Sequence, residues 1–200
     1  MTGDRWQASY HVLFPTPLFS FQLTDHEGLD QQLLQVIQQL KNQDGGRVAS
    51  NVLGWHSRGN LFDLPEVNPF QDLVTTAIAE CAKAMGYGQV PIRPANCWAN
   101  VNPTYASNKI HDHANCLFSG VYYLQAPENC GNLMFYDPRE ARTFYKPSVS
   151  NFTAYTADAV AHQPTAGLLL IFPSWLKHGV EPNLSSAERI SISFNYVFGP

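Results

Sequence analysis

The sequence predicts a mainly β protein, a sandwich or barrel, with two helices packed against it. Three observations carry this. The first third of the chain holds two amphipathic stripes at helical spacing. The remainder runs in short aromatic and β-branched segments separated by Asn, Pro and Gly. The last of these segments alternates strictly between polar and apolar residues. With 200 residues, 44% of them hydrophobic, the chain can bury one sizeable core, so residues 1–200 are expected to form a single domain.

In the first helix Leu29, Leu33, Leu34, Ile37 and Leu40 share a face, and Gly45-Gly46 lies beyond its end. The second opens with Asn68 as the expected N-cap and Pro69 at the first helical position. It then presents Phe70, Leu73, Val74, Ile78, Cys81 and Met85 to the core before Gly86. Strands are expected at Cys97 to Asn102, Phe118 to Leu124, Gly131 to Tyr136, Gly167 to Phe172 and Arg189 to Val197. The polar stretch from Glu140 to Thr165 is expected to form a loop pair and one strand over the mouth of the core. In the last strand Ile190, Ile192, Phe194 and Tyr196 face one way and Arg189, Ser191, Ser193 and Asn195 the other. The apolar face packs inward. The polar face then meets either solvent or a wet pocket, and an arginine in line with two serines suits a pocket that takes a carboxylate.

Composition excludes several function classes. Twelve Lys and Arg against 16 Asp and Glu give a formal charge of -4 with no basic block, which disfavours a nucleic-acid polymer as partner. Cys81, Cys97, Cys116 and Cys130 form no C-x-x-C pair, so neither a zinc knuckle nor a thioredoxin-like site is expected, and the four read as reduced thiols. Met1 to Trp6 lacks the apolar stretch of a secretion signal, and the aliphatic run Leu168 to Phe172 is too short to span a bilayer. A soluble, cytoplasmic protein with no membrane partner is the expectation.

Three of the seven histidines stand out. His111 and His113, separated by Asp112, are placed near a strand start, where alternation would turn both imidazoles to one side. Two such nitrogens can ligate one transition metal, although the same spacing occurs in surface and core histidines. His178 follows Gly167-Leu-Leu-Leu-Ile-Phe-Pro173-Ser-Trp175-Leu-Lys, at the tight end of a buried strand, and could close a metal site from across a barrel. Arg189 and Ser191 come one strand later, pairing a cation site with an anion site.

This order of an H-x-H, a distal His and an R-x-S resembles the iron(II) and 2-oxoglutarate-dependent dioxygenases. Ser119-Gly-Val-Tyr-Tyr-Leu124, Gly131-Asn-Leu-Met-Phe135, Phe172-Pro-Ser-Trp-Leu176 and Arg189-Ile-Ser-Ile-Ser-Phe-Asn195 together resemble one group of these oxygenases, related to the prolyl-hydroxylase type. The resemblance covers about residues 11 to 198. It implies a double-stranded β-helix, a jelly roll of the cupin-like kind, packed against the two helices. It implies Fe(II) on His111, His113 and His178, and 2-oxoglutarate bound by Arg189, Ser191, Tyr123 and Asn102. The expected activity is oxidation, above all hydroxylation, of a small molecule or a peptidyl residue by dioxygen, with release of succinate and carbon dioxide. The sequence departs from the family's usual His-x-Asp/Glu, because His113 stands where a carboxylate is usual; Asp112 replaces it only if a bulge re-aims the strand.

Two other classes stay open on the residues alone: a three-histidine cupin-like dioxygenase that needs no 2-oxoglutarate, and a non-catalytic β-helix module that binds a small acid. His11, His26, His56 and His162 have no partner pattern and read as surface or satisfied residues. Asp137-Pro138-Arg139 reads as a structural turn or a substrate-orienting one. Asn51 to Ser57, which contains Trp55 beside Gly54, reads as either a substrate rim or a core segment.

Overall fold

Two antiparallel sheets face each other in a double-stranded β-helix, with both helices on the outer side of the larger sheet. The computed structural model describes residues 7–88, 90–139 and 148–199. The strands are β1 (Phe19–Gln22), β2 (Asn51–Val52), β3 (Trp55–His56), β4 (Ile92–Asn102), β5 (Ser107–His111), β6 (Phe118–Gln125), β7 (Leu133–Tyr136), β8 (Ala159–His162), β9 (Leu168–Pro173), β10 (His178–Val180) and β11 (Arg189–Phe198). The larger sheet has the order β1-β9-β6-β11-β4-β3 and the smaller β2-β5-β10-β7-β8. Consecutive strands alternate between the sheets from β4 to β7, so residues distant in sequence meet in the space between them.

The helices α1 (Glu27–Gln43) and α2 (Asn68–Ala84) lay their apolar stripes on the outer face of the larger sheet. Leu33, Val36 and Ile37 of α1 and Phe70, Val74, Ile78 and Cys81 of α2 are buried in one cluster with Cys97, Ala99 and Val101 of β4 and with Ile190, Ile192, Phe194 and Tyr196 of β11. The expected inward face of the last strand is therefore the helix-side face. β9 is buried on both sides: Leu169 and Ile171 join this cluster, while Leu168, Leu170 and Phe172 join a second one between the sheets. That is why it reads as a continuous apolar run rather than an alternation. Asp30 pins α1 to β6, accepting from the Tyr122 hydroxyl at 2.7 Å and pairing with His26 at 2.7 Å.

Several boundaries differ from expectation. Asn68 is already helical (φ -52, ψ -45), and Val67 occupies the cap, because the 3-10 turn Pro65–Val67 runs directly into α2. His111 ends β5 instead of lying near a strand start, and His113 lies beyond it. His178 does not end the buried strand β9; it opens β10 in the opposite sheet, after a turn closed by Leu176 N donating to Pro173 O at 2.9 Å. Of Glu140 to Thr165, residues 140–147 lie outside the described residues; among the described ones β8 is the one strand, at the edge of the smaller sheet. Met1 to Trp6 lie outside them too. Among the described residues no helix is long and apolar enough to cross a membrane.

Candidate metal and anion site

Between the sheets lies a cleft open to solvent, and both halves of the predicted constellation line it: His111, His113 and His178 on one wall, Arg189, Ser191, Tyr123 and Asn102 on the other. β5 and β10 pair with His178 directly opposite His111. Directly opposed residues share a face, so the two rings meet with centroids 4.4 Å apart. His113 is held by a different device. Its backbone N–H donates to Ser174 O at 2.9 Å, tying it to the turn that leads into His178. Its ring centroid lies 5.0 Å from that of His111 and 5.2 Å from that of His178. One nitrogen from each of the three lies within 4.8 Å of the others. Asp112 is exposed and outside this group.

The chemistry of the rings suits a metal. His178 Nδ1 is 2.9 Å from Leu176 O and His111 Nδ1 is 2.7 Å from Lys109 O. A carbonyl only accepts, so Nδ1 carries the proton in each ring and Nε2 keeps its lone pair for a ligand. Burial lowers the pKa of His178 to about 3, with the charge of His111 acting in the same direction. Burial likewise lowers His113 to about 4, helped by His111 and opposed by Asp112. These rings are neutral across the physiological range, as a metal ligand must be. Phe172 packs edge-on against His178, with centroids 4.8 Å apart, and limits its rotation.

Arg189 is 2% exposed. Its Nη1 donates to the backbone carbonyls of Cys130 and Glu181, whereas Nη2 is buried with no partner. Among the described residues no carboxylate forms an ion pair with it. A buried cation met only by carbonyl dipoles keeps its full charge, and a donor left unsatisfied there costs about 1–3 kcal/mol. A carboxylate would remove both costs. Tyr123 and Ser191 are directly opposite across β6 and β11, and Asn102 is directly opposite Arg189 across β4 and β11. The Tyr123 phenol is pushed up from its ordinary pKa by burial, against the pull of Arg189, and stays protonated as a hydrogen-bond donor. Asn102 lines the same cleft: its side-chain amide donates to Asn108 Oδ1 at 3.1 Å, and its Oδ1 is buried with no partner.

The donor set thus fits a first-row divalent cation beside a dicarboxylate. Three neutral imidazoles leave the cation's charge intact, and a dianion supplies the negative charge that a ligating carboxylate otherwise brings.

The sequence reading missed Trp98. It lines the cleft, with its ring 5.7 Å from His113 and stacked on buried His56 at 5.6 Å and 2°. The signal was present in Cys97-Trp-Ala-Asn-Val-Asn102, where Trp98, Asn100 and Asn102 alternate with small apolar residues. Other candidates fall away from the cleft. Trp55 packs on the helix-side core and donates to Asp44 O, so it is not a rim residue. Arg139 folds back onto Asp137, at 2.9 and 2.8 Å, as a structural turn. All four cysteines are free thiols.

Comparison with known proteins agrees with this geometry. A family model described as "Putative 2OG-Fe(II) oxygenase" matches residues 96–195, which include all seven residues named above for the two walls. No curated protein sequence matches the chain. Among solved structures, a prolyl-4-hydroxylase from Pseudomonas putida superposes with a TM-score of 0.65 at 14% identity, over 92% of this chain and 94% of its own. HygX from Streptomyces hygroscopicus, solved with nickel and 2-oxoglutarate bound, gives 0.66 at 13% identity, over 91% and 83%. A viral collagen prolyl hydroxylase from Paramecium bursaria Chlorella virus-1, in complex with 2-oxoglutarate, gives 0.56 at 12%, over 90% and 94%. At these identities the likeness is one of fold.

Proposed function

Because this chain belongs to the 2OG-Fe(II) oxygenase family, we propose that His111, His113 and His178 hold its iron and that Arg189 receives the far carboxylate of 2-oxoglutarate. The observation that carries the assignment is the pairing, in one cleft, of three converging imidazoles with a buried guanidinium whose Nη2 has no partner. Iron(II) with 2-oxoglutarate supplies the activation of dioxygen, coupling release of succinate and carbon dioxide to oxidation of a C–H bond.

The chain's own residues bind, orient and shield. Arg189 anchors the diacid end-on, and the Ser191 and Tyr123 hydroxyls add donors to the same carboxylate. Asn102 acts indirectly, by tying β4 to β5 through Asn108 and so setting the distance between the anion wall and the metal wall. Leu133, Phe172 and Val180 keep water from the space between them. Residues 1–200 act as one domain, since both helices pack on the sheet that carries Arg189. A cytoplasmic location suits four free thiols. The substrate is a small molecule or a peptidyl residue.

Two variants test the assignment. His178→Ala should lose the metal, read by elemental analysis of purified protein. Arg189→Ala should keep the metal but bind 2-oxoglutarate roughly 10- to 100-fold more weakly, as expected for a charge-assisted hydrogen-bonded pair. If both variants lost only thermal stability, the two walls would be scaffolding. Succinate released from 2-oxoglutarate separates this reading from a three-histidine dioxygenase that acts without it.

A further inference from the structure

The inner face of the larger sheet is laid out in rungs about 7 Å apart, the spacing of every second residue on a strand. Asn102 and Arg189 form the first rung, Asn100, Ser191 and Tyr123 the second, and Trp98, Ser193 and Val121 the third. A fourth holds Asn96, Asn195 and Ser119, joined by hydrogen bonds of 2.8 and 2.6 Å. The anion-binding groups occupy the first two rungs, whereas Trp98 on the third is beside the ligand candidate His113. The substrate therefore has the Trp98 end of the cleft.

Three features of that end and of the Asn100 position bordering it define what fits. The indole is a fixed platform, because His56 is stacked on it and is itself held by a 2.7 Å hydrogen bond between Nδ1 and Ser57 O. Asn100 is buried; its amide donates to Ser193 Oγ at 3.2 Å, and its Oδ1 has no partner. 2-Oxoglutarate carries only acceptors and cannot satisfy that oxygen, whereas a substrate hydroxyl can. Finally, among the described residues lining the cleft Arg189 is the only permanently charged one. Beyond it the wall is Trp98, Asn100, Ser193 and Ser119, all neutral.

Resting on the assignment above, we infer that the substrate is an uncharged, hydroxyl-bearing ring that lies against Trp98 and donates one hydroxyl to Asn100 Oδ1. The ring's C–H face meets the indole, its hydroxyls meet the amides and serines, and a charged group finds no partner.

The test uses full-length protein loaded with Fe(II) and 2-oxoglutarate. Methyl α-D-glucopyranoside and myo-inositol serve as neutral ring probes, glucosamine and glucuronate as charged ones, and N-acetyl-Gly-Pro-Gly amide as a neutral peptide. Succinate release is followed in air, and probe binding by tryptophan fluorescence without oxygen. At least one neutral ring should accelerate succinate release and quench fluorescence, and the charged rings and the peptide should do neither. Trp98→Leu should weaken probe binding about tenfold, with Trp98→Phe between it and the parent. Asn100→Ala should weaken it by a similar factor, roughly tenfold. Circular dichroism confirms that each variant is folded. Response to the charged or peptide probes alone, no response to either neutral ring, or a response unchanged in Trp98→Leu would overturn the inference. If 2-oxoglutarate is neither bound nor turned over, the assignment above falls and takes this inference with it. If 2-oxoglutarate is turned over and only the rings fail, this inference falls alone.

Discussion

At Arg189 the surroundings decide the chemistry. An exposed arginine would be matched by water and counterions, but this one is buried with two backbone carbonyls on Nη1 and nothing on Nη2. Burial lowers its pKa, yet a guanidinium stays charged, so the wall keeps a cation that only an anion can satisfy. Arg189→Lys is therefore not conservative. It keeps the charge but loses the planar fork, and 2-oxoglutarate affinity should fall by roughly tenfold, less than for Arg189→Ala, as titration calorimetry would show. The histidines follow the same logic in reverse: the Leu176 and Lys109 carbonyls fix one nitrogen and thereby aim the other.

Among the elements, β11 does two jobs by alternation. One face closes the helix-side core and the other carries Arg189 and the serines into the cleft, so any slip by one residue would exchange them. Its position is fixed partly by Gly120 of β6, which lies under the Phe194 ring. A Cβ there would enter that ring and come within 2.8 Å of Leu170 O. Gly120→Ala should thus destabilise the protein by about 1–3 kcal/mol. That lowers Tm by roughly 3–10 °C in a thermal melt. An unchanged melting temperature would mean that β6 and β11 can separate without cost.

Over the whole molecule, burial of neutral imidazoles couples stability to pH. His56, His113 and His178 are all lowered by burial, the last two to about 4 and about 3. In the unfolded chain each titrates near 6.5, so below that pH the unfolded state binds more protons and is favoured. The contribution is fully present above about pH 6.5 and is lost as pH falls toward the folded values. For metal-free protein, Tm should be flat above about pH 7 and decline from about 6.5 downward. His56→Phe, which keeps a ring against Trp98 but cannot titrate, should show a shallower decline. A melting temperature that rose on acidification would contradict this account.

Local pattern alone determined the helices, the long strands and the two faces of β11, because periods of 3.6 and 2 depend only on which residues an element must bury. The resemblance carried by Ser119 to Leu124, Phe172 to Leu176 and Arg189 to Asn195 brought the fold family and the metal and anion residues with it. Tertiary structure decided the rest. β5, Ser-Asn-Lys-Ile-His, has no strand signal of its own; it is a strand because β2 and β10 pair with it. The strands β2, β3 and β10 are two or three residues long and exist only through their partners. His113 converges on His178 through a backbone bond to Ser174, 61 residues away along the chain. Trp98 faces His113 because β4 and β5 belong to opposite sheets of one β-helix. Such meetings depend on how the sheets close on each other, which no spacing along the chain records.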